Sequence, residues 1–152
     1  MFKGRKSENL AILVLGLAGG RMYSETRLQK AAFLVDREVI GNTVKFEPSV
    51  FGPHSRDLER AVEVLEKEGK IEIYADRKNE VCYDLTEKGK DEFSELRAVL
   101  GGEIIERAAA IVGKIKTADL VSVIASVYAK YPEYFDDRSF VIRLARKHGL
   151  PI

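Results

Sequence analysis

The chain has 152 residues, 45% of them hydrophobic and 32% charged, with a formal net charge of +1; that is enough apolar material for a core without metal or disulfide staples. Lone Cys82 excludes an internal disulfide, and with His54 and His148 as the only histidines the chain falls short of the four ligands of a usual structural zinc site. No stretch approaches the ~20 apolar residues that a membrane span needs.

Lys3, Arg5 and Lys6 ahead of the apolar run at 10–17 loosely mimic an export signal, but Glu8 and Asn9 interrupt the junction and the run is short. A soluble, cytoplasmic protein is expected. Ser7 is placed to cap a first helix over 7–17, apolar almost all round and therefore buried, which the Gly19-Gly20 pair ends. Ser24 or Thr26 opens a second helix to about residue 39, with Leu28, Ala31, Val35 and Val39 at helical spacing and Arg27, Lys30 and Arg37 left for solvent or a partner. Gly41-Asn42 breaks that helix, and residues 43–46 read as a short strand before turns at Pro48 and Gly52-Pro53.

Ser55 is a good cap for a third helix over 56–68, with Asp57 and Glu59 in its first turn, Leu58, Ala61, Val62 and Leu65 as its buried stripe, and Gly69 as its stop. Residues 71–74 and 81–85 read as two strands joined through Asp76, Arg77, Lys78 and Asn79. Thr86 caps the next helix, which carries Phe93, Leu96 and Leu100. Beyond Gly101-Gly102, Ile104, Ile105, Ala108, Ile111, Val112 and Ile115 form a strongly apolar face. Thr117 is placed to cap a further helix ending at Pro132, and a basic helix over 139–147 closes the pattern.

A capped helix, a hairpin with a charged tip and the start of another helix, in that order over 46–89, are what a winged helix-turn-helix uses to set a helix and a wing against DNA. The fold expected is therefore α+β: a winged helix-turn-helix core over 1–100 with an all-helical extension over 101–152. The stripe from Leu96 to Ile115 reads as internal core or as the seam of a homodimer, which a regulator needs to place two reading heads. A DNA-binding transcriptional regulator would use the turn at Ser55 to present Arg56 and Arg60 to double-stranded DNA. Arg77 and Lys78 would hold the flanking backbone, with Arg27 and Lys30 on phosphates. Gln29 and Lys30 could also pin the following loop, but the preferred reading of both is as solvated helix residues.

The charge distribution opposes that reading in part. Residues 1–40 carry seven Lys/Arg against four Asp/Glu, or +3; residues 41–100 carry ten against fourteen, or −4; residues 101–152 carry eight against six, or +2. The segment with the expected reading helix is thus acidic, whereas phosphate binding needs a basic face. The alternative is a protein-interaction module such as an antitoxin-like protein, its acidic third helix meeting a basic partner. His54 lacks a nucleophile and an oriented carboxylate at recognisable spacing, so no enzyme is read here. Tyr128, Tyr131, Tyr134 and Phe135 around Pro132 read as closing a small helical core. No cofactor, metal site or membrane partner is expected.

Arg27-Leu28-Gln29-Lys30, Phe51-Gly52-Pro53-His54-Ser55 and Leu85-Thr86-Glu87-Lys88-Gly89 resemble, in order and spacing, motifs of the YwgA-like proteins and more distantly of the Panacea antitoxin domain. The resemblance spans about residues 7–100. It implies a winged-helix-like core and a regulatory or toxin-neutralising setting rather than an enzyme. Phe51 and His54 stand where the family pattern more often has tyrosines.

Overall fold

Leu10, Ala11, Ile12, Leu13, Val14 and Leu15 are all 0% exposed, and the helix that carries them, α1 (Lys6–Leu17), forms the centre around which the rest is wrapped. A helix apolar on every side has no face to offer water and must be enclosed. The computed structural model describes residues 2, 4–136, 138–147 and 149, without the side chains at 140–142 and 145; Lys3 and His148 lie outside the described residues. Arg5, not Ser7, is the N-cap of α1, and no side chain caps it. Among the described residues no helix is long and apolar enough to cross a membrane.

After α1 comes β1 (Arg21–Tyr23), a strand the sequence did not announce because three residues are too few for a period-two pattern. Ser24 caps α2 (Glu25–Val35), its side chain accepting from Arg27 N. A π-helical turn, Asp36–Ile40, prolongs α2 as far as Gly41. The strand expected at 43–46 does not form. Buried Asp36 takes the backbone N–H groups of Thr43 and Val44, each at 3.0 Å, and the Thr43 hydroxyl at 2.6 Å, so a carboxylate satisfies what a neighbouring strand would have satisfied. Glu47 and His54 pair as an isolated antiparallel bridge that closes the loop between them.

Ser55 caps α3 (Arg56–Lys67), whose buried residues are Leu58, Ala61, Val62 and Leu65, as the stripe predicted. Then come β2 (Ile71–Ala75) and β3 (Val81–Leu85), antiparallel in register from Ile71 opposite Leu85 to Ala75 opposite Val81. β1 pairs with the other side of β3, so the sheet order is β1-β3-β2. Thr86 caps α4 (Glu87–Leu100), followed by α5 (Gly102–Thr117), α6 (Leu120–Lys130), a 3-10 turn at Pro132–Tyr134 and α7 (Phe140–Lys147). Thr117 ends α5; the cap of α6 is Asp119, which accepts from Ser122 N at 3.1 Å.

The architecture is α+β, with a small antiparallel sheet among helices. One hydrophobic cluster runs from Leu10 through Leu65 and Leu85 to Ile105, Ala108, Val112, Ile115, Val123 and Tyr134. Residues on both sides of position 100, as far as Tyr134, therefore share a core. α5 lies against α2, and four members of the stripe read as core or dimer seam face inward: Ile105, Ala108, Val112 and Ile115 are buried, while Leu96, Ile104 and Ile111 are half-buried.

Gly16 of α1 sits directly beneath Phe93 of α4, where an added Cβ would lie 2.1 Å from the ring. Gly16→Ala is expected to lower the unfolding free energy by roughly 1–3 kcal/mol, the usual penalty for overpacking. Urea denaturation measures this directly, and a change below about 0.5 kcal/mol would contradict the packing of α4 on α1.

Candidate functional site at the loop between α2 and α3

Helical spacing turns Gln29 and Lys30 inward from α2, and both are fully buried. The Gln29 amide pairs with the backbone of Ser55 twice, Oε1 accepting from Ser55 N at 2.9 Å and Nε2 donating to Ser55 O at 3.0 Å. Lys30 Nζ donates to Pro53 O at 2.7 Å. Gly52 presses against the same lysine: its φ is +93° and an added Cβ would lie 2.6 Å from Lys30 Cε, so glycine is needed both for backbone geometry and for room. From the opposite side, Tyr128 of α6 donates to Ser49 O at 2.7 Å and accepts from Gly52 N at 3.0 Å, while Ser139 Oγ donates to Val50 O. The loop is stitched by its backbone to α2 on one side and to the C-terminal helices on the other.

Its outcome is the start of α3. Ser55 is 0% exposed, and its Oγ accepts from Leu58 N at 3.1 Å. Three residues expected on a DNA surface are therefore elsewhere. Ser55 is a buried cap, and Lys30 is a buried clamp at 1% exposure that cannot reach a phosphate from there. Arg27 directs Nη1 at the carbonyls of Ile115 and Ala118, at 2.7 and 2.6 Å, where a cation satisfies the open end of α5. Arg56, Arg60, Arg77 and Lys78 are exposed as expected. Arg60 meets Asp57 at 3.2 Å. At the hairpin tip Asp76 Oδ1 accepts the backbone N–H of Lys78 and of Glu80, shaping the turn that projects Arg77 and Lys78.

A groove runs between α3 and the hairpin, with the N-terminal half of α2 as its floor. Glu25, Glu59 and Glu63 line it beside Ile73 and Tyr83, and among the described residues no Lys or Arg does so. Glu66 Oε2 ties α3 to the strand by accepting Ile73 N at 3.2 Å. The Tyr83 phenol is held well above its ordinary pKa, first by burial and then by the fields of Glu25 and Glu59. His54 reaches two of these carboxylates: its Nε2 lies 3.3 Å from Glu59 Oε2 and 3.5 Å from Glu25 Oε1. That cluster escaped the sequence, because its members come from α2, the loop and α3 with no motif spacing to link them.

Of the aromatic group, Tyr128 and Tyr134 are buried in the core and Tyr131 packs half-buried against it, as expected, while Phe135 is exposed. Phe33 receives the edges of Phe46, Tyr131 and Tyr134 at centroid distances of 5.2, 5.1 and 4.9 Å, and Arg37 lies against Phe33 and Tyr134. Each of the three tyrosine hydroxyls has a protein partner: Ser49 and Gly52 for Tyr128, Glu38 for Tyr131 and Arg37 for Tyr134. Tyr131 OH donates to Glu38 Oε2 at 2.8 Å, and burial followed by that bond pushes its pKa up to about 12. No family model matches this chain, and no curated protein matches it in sequence.

Burial pushes the Lys30 ammonium down from 10.5 to about 7, only partly opposed by the field of Glu25. Between those values the unfolded chain holds a proton that the native one lacks, so this group makes stability rise with pH from about 7 toward 10. Lys30→Met removes the linkage. Its unfolding free energy relative to wild type is expected to be most favourable at pH 7 and to fall, by at most about 5 kcal/mol, as pH approaches 10. Urea unfolding of both proteins across that range decides it, and parallel profiles would refute the buried, depressed ammonium.

Proposed function

We propose that this chain is a winged-helix-type protein-interaction module whose groove between α3 and the β2–β3 hairpin receives a basic surface of a protein partner. The order α1-β1-α2-α3-β2-β3 and the sheet order β1-β3-β2 support the winged-helix part, as does the resemblance to YwgA-like proteins. The tight turn of a helix-turn-helix is replaced by the stitched loop described above. An antitoxin-like neutraliser of a basic protein is one such module.

The observation that carries the proposal is the lining of the groove. Glu25, Glu59 and Glu63 occupy the place between helix and wing where a DNA reader would take phosphates, and duplex DNA presents one negative charge per ~1.7 Å of axis. Along α3 the exposed charges are Arg56, Arg60 and Lys67 against Asp57, Glu59, Glu63 and Glu66. A regulator would have to work through Arg56, Arg60, Arg77 and Lys78 alone, with Arg60 already beside Asp57. Carboxylates facing a lysine- or arginine-rich protein surface gain both encounter rate and specificity.

Fluorescence anisotropy with labelled duplex DNA in ~50 mM salt is expected to show negligible binding. Partners captured from the native host on immobilised chain should be eluted by raising salt, and Glu63→Lys should lose them. Tight, salt-sensitive duplex binding by the wild type, abolished in the Arg56/Arg60/Arg77/Lys78 charge-removal variant, would replace this reading with the regulator.

A further inference from the structure

We infer that Glu25, His54 and Glu59 form a binding site for one divalent first-row transition ion, with Zn²⁺ as its probe. The site stands apart from the partner reading, since it would exist whether or not a protein docks in the groove.

The geometry is the first argument. One donor atom from each residue lies within 4.8 Å of the other two, and the imidazole nitrogen is 3.3 and 3.5 Å from the two carboxylates. Those separations exceed an ordinary N–H···O hydrogen bond of about 2.7–3.2 Å. These two nitrogen–oxygen separations are close to the edge of a tetrahedron whose corners lie ~2.0–2.1 Å from a central ion, about 3.3–3.4 Å, and the two carboxylate oxygens lie within 4.8 Å of each other. A metal can therefore enter with small side-chain movements.

The second argument is that the backbone bearing the donors is fixed independently of them. Glu25 follows the Ser24 cap in the first turn of α2, and Glu59 stands in the first turn of α3, positions where the helix dipole favours a carboxylate. His54 is held on both sides: its own N–H and C=O pair with Glu47, and the next residue, Ser55, is gripped by Gln29. Three chain segments thus converge through contacts that none of the three donor side chains makes.

Charge and donor type complete the case. Two carboxylates, with Glu63 in the same groove, face one imidazole, and nearby Lys30 is turned away onto Pro53 O. One nitrogen and two oxygens suit Zn²⁺, Mn²⁺ or a neighbouring ion better than Ca²⁺ or Mg²⁺, which take all-oxygen sets. The two carboxylate side chains are 50% and 51% exposed, so further coordination positions are open to water. Three protein ligands with an open position differ from the closed four-ligand structural zinc site that the composition excludes.

Isothermal titration of Zn²⁺ into the EDTA-stripped full chain at pH 8 should give one ion per chain. Glu25→Gln, His54→Gln and Glu59→Gln should each weaken it at least ~10-fold, while Glu63→Gln and Cys82→Ser change it less than about twofold. Co²⁺ should give visible d–d absorption that Glu59→Gln abolishes. Because Glu59 is half exposed on a helix surface, its variant should keep the wild-type urea midpoint and so separates ligation from folding. Absence of saturable binding below about 100 μM, wild-type affinity in the triple variant, or loss on Cys82→Ser would each overturn the site. Glu63→Lys tests the protein partner without removing a metal donor, so either idea can fail alone.

Discussion

The arrangement depends on a lysine and a glutamine side chain that α2 sends into the interior to hold a loop by its backbone. A buried segment without regular structure leaves N–H and C=O groups that water can no longer serve, and each must find a partner. Gln29 gives Ser55 the donor and acceptor a neighbouring strand would have given, and Lys30 serves Pro53. The arrangement has a cost, since an ammonium is poorly solvated there; the depressed pKa of Lys30 expresses it. In return the register of Ser55 is set, and with it the point and direction at which α3 leaves the loop.

The same loop explains why the C-terminal helices belong to the core. Tyr128 and Ser139 take the opposite edge of the loop through Ser49, Val50 and Gly52. Arg27, one helical turn before the clamp, reaches across to the end of α5. Contacts run both ways between the first and last thirds of the chain. Removing α5, α6 and α7 would strip one side from a buried loop and expose the surface of α2 against which α5 packs.

Elements specified by local chemistry could be read from the sequence: α3 from its cap and stripe, the hairpin from alternation around Asp76 and Asn79, and the caps Ser24, Ser55 and Thr86. What escaped was set by distant residues. β1 exists because β3 offers it an edge, with Arg21 opposite Asp84 and bonded to it at 2.6 Å. Residues 43–46 are not a strand because Asp36 claims their N–H groups first. Arg27 and Lys30 looked like surface cations because the positions they reach, Ala118 and Pro53, are far along the chain. An apolar stripe likewise looks the same whether it meets its own chain or a second copy; the placement of α5 on α2 shows which of its residues meet its own chain.

The acidic groove is best understood by asking what folding requires of it. Glu25, Glu59 and His54 are partly exposed, and ion pairs of that kind contribute little to stability because water screens them and ordering long side chains is unfavourable. Glu63, beside them, is exposed too. The fold would lose little if these charges were replaced, whereas buried groups of high cost are committed to fixing the backbone from which two of them project. Stability thus accounts for the clamp, and for Glu25 and Glu59 only through the modest favour of the helix dipole, but not for Glu63. On the proposed reading, charges that contribute little to folding, held by contacts the fold depends on, suit a positively charged occupant, and the same carboxylates disfavour a phosphate backbone along with any other anion.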